Sequence, residues 1–286
     1  MLAIAAVLSV LMGVALGLLG GGGSIMTVPI LVYLLSMPTK AAVATSLLVV
    51  GSTSVFGLVL HARAGNVQWR TGAIFAAFAM LGAFLGGLVA RYIPGGVLLG
   101  LFTALMLVTG VMMLRGKKVK AEHAGGHAVK ISVPKVAAEG LVVGSVTGLV
   151  GAGGGFLVVP ALVLLAGLSM QHAIGTSLFV IALKSFAGFA GYAAHVTIDY
   201  PVAGLIIGAA LVGTFIGVKL AQRIEAARLR KGFAWFVLVM GAFMIYKQAG
   251  PYMASAGLPN VALLAMLAAV LGAIAMMQRR LTGISA

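Results

Sequence analysis

Cysteine is absent from the 286-residue sequence, which excludes disulfides, thiolate metal sites and thiol catalysis. Charge is scarce: 8% of residues carry it, against about 25% in a soluble domain. That is too little to cover a soluble surface. Acids are scarcer still, four against 19 Lys and Arg, for a net charge of +15. This excess does not mark a nucleic-acid binder, because the basic residues sit in short connections between apolar segments. Nucleotide-loop signatures are missing too. No Gly-Lys-Ser/Thr closes either glycine run, and no strand precedes them with an acid at the needed distance. Residues 1–8 lack the basic start of a signal peptide, and the first apolar run has an internal copy. The first segment is therefore expected to belong to the fold.

What is present is apolar: 62% hydrophobic residues and a mean hydropathy of +1.18. Several windows of membrane-spanning length hold almost no charge, so the chain reads as an all-α polytopic membrane protein. Inside the first apolar run stands Gly20-Gly21-Gly22-Gly23-Ser24, and inside a later one Gly151-Ala152-Gly153-Gly154-Gly155. Each glycine costs a helix interior about 1 kcal/mol relative to alanine, so both runs break their helices. The two runs lie 131 residues apart (151 − 20), and the same shift aligns much else. Gly13, Gly17 and Pro29 meet Gly144, Gly148 and Pro160, and Thr45-Ser46-Leu47 meets Thr176-Ser177-Leu178. Gly82 and Gly86 meet Gly213 and Gly217. The chain is an internal duplication.

The first repeat, 1–114, comprises a broken hairpin 1–36 and helices over 41–60, 70–90 and 96–114. A basic linker covers 115–133. The second repeat, 134–247, comprises a broken hairpin 134–168 and helices over 172–194, 202–221 and 231–247. One extra transmembrane helix is expected over 257–277. Thirty-six helical residues would span about 54 Å, nearly twice a bilayer core of roughly 30 Å, so each broken segment is expected to turn back within the membrane. Loop charge agrees. Leaving the intramembrane Lys184 aside, with hairpins fifteen Lys and Arg fall on one side and three (Lys40, Arg91, Lys247) on the other; with single crossings, the division is nine against nine. The positive-inside rule then puts the linker and C-terminus in the cytoplasm and the N-terminus outside the inner membrane. A hairpin plus three spans is an odd number of crossings, so the two repeats are expected to be inverted. Inverted repeats place substrates near the midplane, where interrupted helices point their N-termini at anionic groups.

The expected substrate-binding residues are therefore Gly20, Gly21, Gly22, Gly23 and Ser24 with Gly151, Ala152, Gly153, Gly154 and Gly155. The hydroxyls of Thr45, Ser46, Thr176 and Ser177 join them, with Ser54 and Ser185 weaker cases. Lys184 lies mid-segment where the first repeat has Thr53, with no acid nearby in sequence. A lysine at membrane depth costs about 2.5–3.5 kcal/mol on insertion scales. Its counter-ion is either the substrate or the carbonyls of a broken helix. Lys184, His195 and Asp199 are the candidates for proton coupling, with an interfacial salt bridge or cap the favoured reading of Asp199. Trp69, Tyr92, Tyr192, Tyr200 and Trp235 read as interfacial aromatics. His123 and His127 form no metal site without a third ligand, and no metal or other cofactor is expected. The expected partners are a small anionic substrate, the lipid bilayer and a second copy in a homodimer through 257–277, with no nucleic acid.

The doubled Gly-x-Gly-Gly-Gly-x-x-x-x-Pro pattern, Gly20 to Pro29 and Gly151 to Pro160, followed by Ala-Thr-Ser-Leu and Gly-Thr-Ser-Leu, resembles the TauE/SafE family of membrane transporters. The first copy departs from the pattern at Ser24, where the second has Gly155. The resemblance spans about residues 3–247. It implies a transporter of sulfur-containing anions such as sulfite or sulfoacetate rather than an enzyme. An anion channel, a carrier of another carboxylate or oxyanion, and a membrane scaffold stay open as alternatives.

Overall fold

The computed structural model describes residues 2–115, 133–150, 155–164 and 166–255. The basic linker from 116 to 132, the tip residues 151–154 and the expected helix 257–277 lie outside the described residues. The described chain is helical: α1 (Leu2–Leu19), α2 (Gly22–Pro29, continued by a π-helical turn over Ile30–Leu34), α3 (Thr39–Arg63), α4 (Trp69–Val89), α5 (Gly95–Arg115), α6 (Val133–Val150), α7 (Gly155–Leu164), α8 (Met170–Ala193), α9 (Tyr200–Ala221) and α10 (Ala226–Ser255). α10 continues through Pro251, past the apolar segment that ends at 247. Six helices, α3, α4, α5, α8, α9 and α10, are long and apolar enough to cross a bilayer. The arms of the two broken segments are shorter apolar pieces. The protein is a polytopic, multi-pass membrane protein.

With lipid as solvent, apolar burial gives helices little reason to associate, so close packing through small residues takes over. Glycines mark these contacts. A side chain at Gly13 or Gly17 would overlap the α9 backbone at Ala210 and Thr214, and one at Gly213 or Gly217 would overlap α1 at Val10 and Val14. The same geometry recurs 131 residues on. Gly144 and Gly148 press on Ala79 and Ala83 of α4, and Gly82 and Gly86 press on Leu141 and Ser145 of α6. In both pairs the contacts advance together along the two helices, so α1 runs parallel to α9 and α4 parallel to α6. The repeat-equivalent helices α3 and α8 pack differently. Gly57 faces Leu178 while Gly188 faces Leu47, so these two run antiparallel. Gly110 against Leu238 and Gly241 against Leu107 make α5 and α10 antiparallel as well.

α3 and α8 form the centre. Thr45, Ser46, Val49, Val50, Thr53 and Ser54 on α3 are buried, as are Thr176, Ser177, Val180, Ile181, Lys184 and Ser185 on α8. The outer helices expose apolar stripes instead: Ile4, Val7 and Leu11 on α1, Leu81, Leu85 and Val89 on α4, Val212, Ile216 and Leu220 on α9. These stripes face lipid. Lys40 donates to the Arg91 carbonyl at 2.6 Å, Arg91 donates to the Tyr92 hydroxyl, and Trp69, Tyr92 and Tyr200 are exposed at helix ends.

Replacing Gly13 or Gly144 with leucine is expected to cost on the order of 1–3 kcal/mol or more, because backbone blocks the added side chain. The midpoint of thermal unfolding in detergent should fall. The same change at Gly204 or Gly208, which face open space, should leave it unmoved. Equal effects at all four positions would contradict these helix contacts.

Candidate functional site

The glycine run breaks the first apolar segment by turning it. α1 ends at Leu19, and Gly20 takes φ +73°, a conformation that L side chains rarely adopt. Its N–H still bonds to the Leu16 carbonyl at 2.8 Å. α2 then restarts at Gly22. Three glycines of this run face three different elements. A side chain at Gly20 would strike Ser177 Oγ and the Ile174 backbone of α8. One at Gly21 would overlap the Gly155 backbone, and one at Gly23 would overlap α1 at Met12 and Leu16. Gly155 reciprocates toward Gly21 and also touches the Ile181 side chain of α8. The starts of α2 and α7 thus meet backbone to backbone, which no residue larger than glycine permits. Each start carries N–H groups without a partner within its helix. Ser24 directs its hydroxyl back to the Gly21 carbonyl at 2.7 Å. Gly151, Ala152, Gly153 and Gly154 lie outside the described residues.

The paired hydroxyls are buried in both halves but engaged in only one. Thr176 Oγ1 accepts from the Gln68 N–H at 2.9 Å, and Ser177 donates to the Ile174 carbonyl at 2.7 Å. Thr45 and Ser46 have no hydrogen-bond partner among the described residues, nor do Ser54 and Ser185. Ser46 is the repeat equivalent of Ser177, and the counterpart of Gly20, the residue against Ser177, is the undescribed Gly151.

Lys184 is 1% exposed. Its ammonium donates to Thr147 Oγ1 at 3.1 Å, in the last turn of α6. A helix C-terminus favours a cation through its dipole. Lys184 therefore sits beside the first arm of the second hairpin, one turn beyond Ile181, not between Gly21 and Gly155. No acid pairs with it among the described residues; Arg228 and Glu225 pair with each other elsewhere, on the exposed surface.

Asp199 and His195 are not joined to each other. Asp199 Oδ1 caps α9, accepting from the Val202 N–H at 3.0 Å. The His195 ring lies 5.6 Å from that of Tyr192, tilted by 31°. Burial, with the nearby charges of Arg91 and Lys40, holds His195 below the usual histidine range. Tyr192 is not interfacial. It is fully buried, and its hydroxyl donates to the Leu149 carbonyl at 2.6 Å. A tyrosine inside a run of small residues was indistinguishable by sequence from one at a membrane boundary.

Sequence reasoning passed over Thr147 and His61. His61 is 2% exposed, and its Nε2 lies 3.1 Å from the Gly17 carbonyl in the last turn of α1. A carbonyl only accepts, so Nε2 carries the hydrogen. The shift of 131 residues pairs His61 with Tyr192 (192 − 61). Both tie a carbonyl at the end of a hairpin's first arm, and that pairing was the available signal.

Gly21→Ala is expected to force the two arms apart and abolish function while the protein still inserts, read as flux in proteoliposomes beside membrane-fraction yield. Normal flux would show that the contact tolerates a side chain. A depressed histidine pKa favours the neutral form in the folded state. The His195 contribution to stability is thus intact above about pH 6.5 and is lost as pH falls through that value toward the folded pKa. His195→Gln should flatten that part of the pH–melting profile; an unchanged slope would assign it to another group.

No solved structure matches the chain. Similar proteins include a probable membrane transporter protein of Xylella fastidiosa (strain 9a5c), 36% identical over 83% of this chain and 92% of that protein. The probable membrane transporter protein YdhB of Bacillus subtilis (strain 168) is 25% identical over 82% of this chain and 97% of its own length. A probable membrane transporter protein of Methanocaldococcus jannaschii is 27% identical over 83% and 94%. The family model described as sulfite exporter TauE/SafE matches residues 5–244. With its doubled glycine run, its six long apolar helices and this match along nearly its whole length, the chain belongs to the TauE/SafE sulfite exporter family.

Proposed function

We propose that the protein is a secondary transporter of small sulfur-containing anions, sulfite, sulfoacetate or related organosulfonates, across the inner membrane. The observation that carries this reading is the meeting of Gly21 and Gly155 at the starts of two interrupted arms. Two helix N-termini converge there, and such termini bind anions through free N–H groups and the positive end of the dipole. Since the two glycines touch, the anion sits beside them, against the first-turn N–H groups of α2 and α7. Thr45, Ser46, Thr176 and Ser177 line its surroundings, and Lys184, one turn beyond Ile181, supplies charge. The antiparallel course of α3 and α8 supports inverted repeats, with the binding site near the bilayer midplane. Lys40, Arg91 and Lys247 mark the outer face; the linker 115–133 and the C-terminus are cytoplasmic. Alternating access comes from movement of one repeat against the other. A homodimer through 257–277 belongs to the same reading.

A thermal-shift screen of sulfite, sulfoacetate, thiosulfate, sulfate and simple carboxylates on the purified protein should raise the melting point with the sulfur anions first. At 100 times Kd, a ligand adds about 2.7 kcal/mol of stability. A response confined to carboxylates would replace the substrate class, and no response to any anion would overturn the reading. Lys184→Ala should abolish saturable sulfite flux in proteoliposomes without preventing insertion. Wild-type flux would remove Lys184 from the site, and a large unitary conductance in place of saturable flux would make the protein a channel.

A further inference from the structure

A cavity of about 330 Å³ opens at one end of the bundle, lined by His61, Asn66, Gln171, Ile174, Gln222 and Leu229. The lining comes from the end of α3 and the loop after it, the start of α8, the end of α9 and the start of α10. The volume falls within the range of small-molecule sites. The cavity adjoins the first hairpin tip in two ways. Ile174 is the residue whose backbone abuts Gly20, and His61 binds the Gly17 carbonyl three residues before Gly20. Among the described residues its polar lining is three amide side chains and one histidine, with no acid, which suits neither a metal ion nor an organic cation.

The histidine is set up to titrate against whatever enters. Gly17 fixes the hydrogen on Nε2, so in the neutral ring Nδ1 is a bare acceptor. That Nδ1 is buried and has no partner among the described residues. Protonation there places a full positive charge in the cavity wall, where burial makes an unpaired charge costly. An anion in the cavity offsets that cost. Among the described residues, His61 is the only titratable one in the lining. On the elements around it, the titratable and charged groups nearest in sequence to the lining are Arg63 on α3, His172 on α8, Lys219 on α9, Arg223 and Glu225 between α9 and α10, and Arg228, Arg230 and Lys231 on α10. His172 is bonded through Nδ1 to Ser169 Oγ at 2.8 Å, and Glu225 is paired with Arg228 at 3.4 Å. The groups flanking the lining in sequence are net positive, a balance that favours anions over cations.

We propose that this cavity is a proton-linked oxyanion site. A small oxyanion is held by the amides of Asn66, Gln171 and Gln222, and His61 takes up a proton as the anion binds. By linkage, the proton tightens anion binding by the same factor by which the anion tightens the proton. The charge on His61 also lies at the C-terminal end of α1, where the dipole favours it, so occupancy of the cavity is felt at the first hairpin tip. The second repeat has Tyr192 in this position, so His61 has no histidine counterpart in the other repeat. This inference rests on the anion-transport reading above and specifies where proton and anion meet.

The test is calorimetric titration of the full-length protein with sulfite near pH 7, in two buffers of different ionisation enthalpy, for wild type and His61→Gln. Glutamine can still donate to the Gly17 carbonyl but cannot take up a proton, and sulfite's own ionisation is common to both proteins. Wild type is expected to take up more protons per sulfite bound than the variant, by up to about one. The variant is expected to bind about tenfold more weakly. Equal affinity and equal proton uptake would overturn this proposal alone, leaving the hairpin-tip reading intact if Lys184→Ala still abolishes flux. Absence of sulfite binding by the wild type would overturn both. Should His61→Gln fail to fold, Asn66→Leu and Gln171→Leu replace it. Weaker sulfite binding with proton uptake retained supports the cavity site, and unchanged affinity overturns it.

Discussion

A bilayer has no water with which to satisfy a broken backbone, so a helix interrupted at membrane depth survives only where protein covers the break. Everything distinctive in this fold follows from that constraint. Gly20, Gly21 and Gly23 let α8, α7 and α1 close on the interruption from three sides. Gly155 returns the contact from the other hairpin. The glycines that break the helix are the same ones that allow the break to be covered. A side chain at Gly20, Gly21 or Gly23 would hold one of these elements away and leave polar backbone against hydrocarbon.

Around this centre the bundle is held by close backbone approach. α1 with α9, and α4 with α6, use glycines on both partners, so each pair interlocks in both directions. Each pair joins a hairpin arm to a long helix of the other half. The halves are thereby exchanged rather than stacked, and neither hairpin is anchored by its own repeat alone.

The two halves depart from each other at a few chemically consequential positions. Thr53 bonds back to its own helix at 2.8 Å, while Lys184, its counterpart, reaches across to Thr147. Ser24 stands for Gly155, and His61 for Tyr192. The scaffold is symmetric because packing demands small residues at equivalent points. Lys184 and His61 have no like counterpart in the other repeat, where Thr53 and Tyr192 stand.

The duplication, the membrane class and the positions of the breaks were legible in the amino-acid sequence, because glycine spacing and hydropathy are local properties that survive without coordinates. The repeat register aligned Gly13 and Gly17 with Gly144 and Gly148, and Gly82 and Gly86 with Gly213 and Gly217, although not with the helices they touch. Sequence could not say that Gly21 meets Gly155 rather than facing it across a gap, that Lys184 bonds to Thr147, or that Asp199 serves as a cap. It also missed His61. A histidine near the end of an apolar helix reads as an interfacial residue, and only the approach of α1 turns it inward to hold the Gly17 carbonyl. Local pattern determines where a chain breaks, because breaking depends on the residues at that point. Which groups then face one another depends on how distant helices cross, and that is decided only when the whole bundle packs.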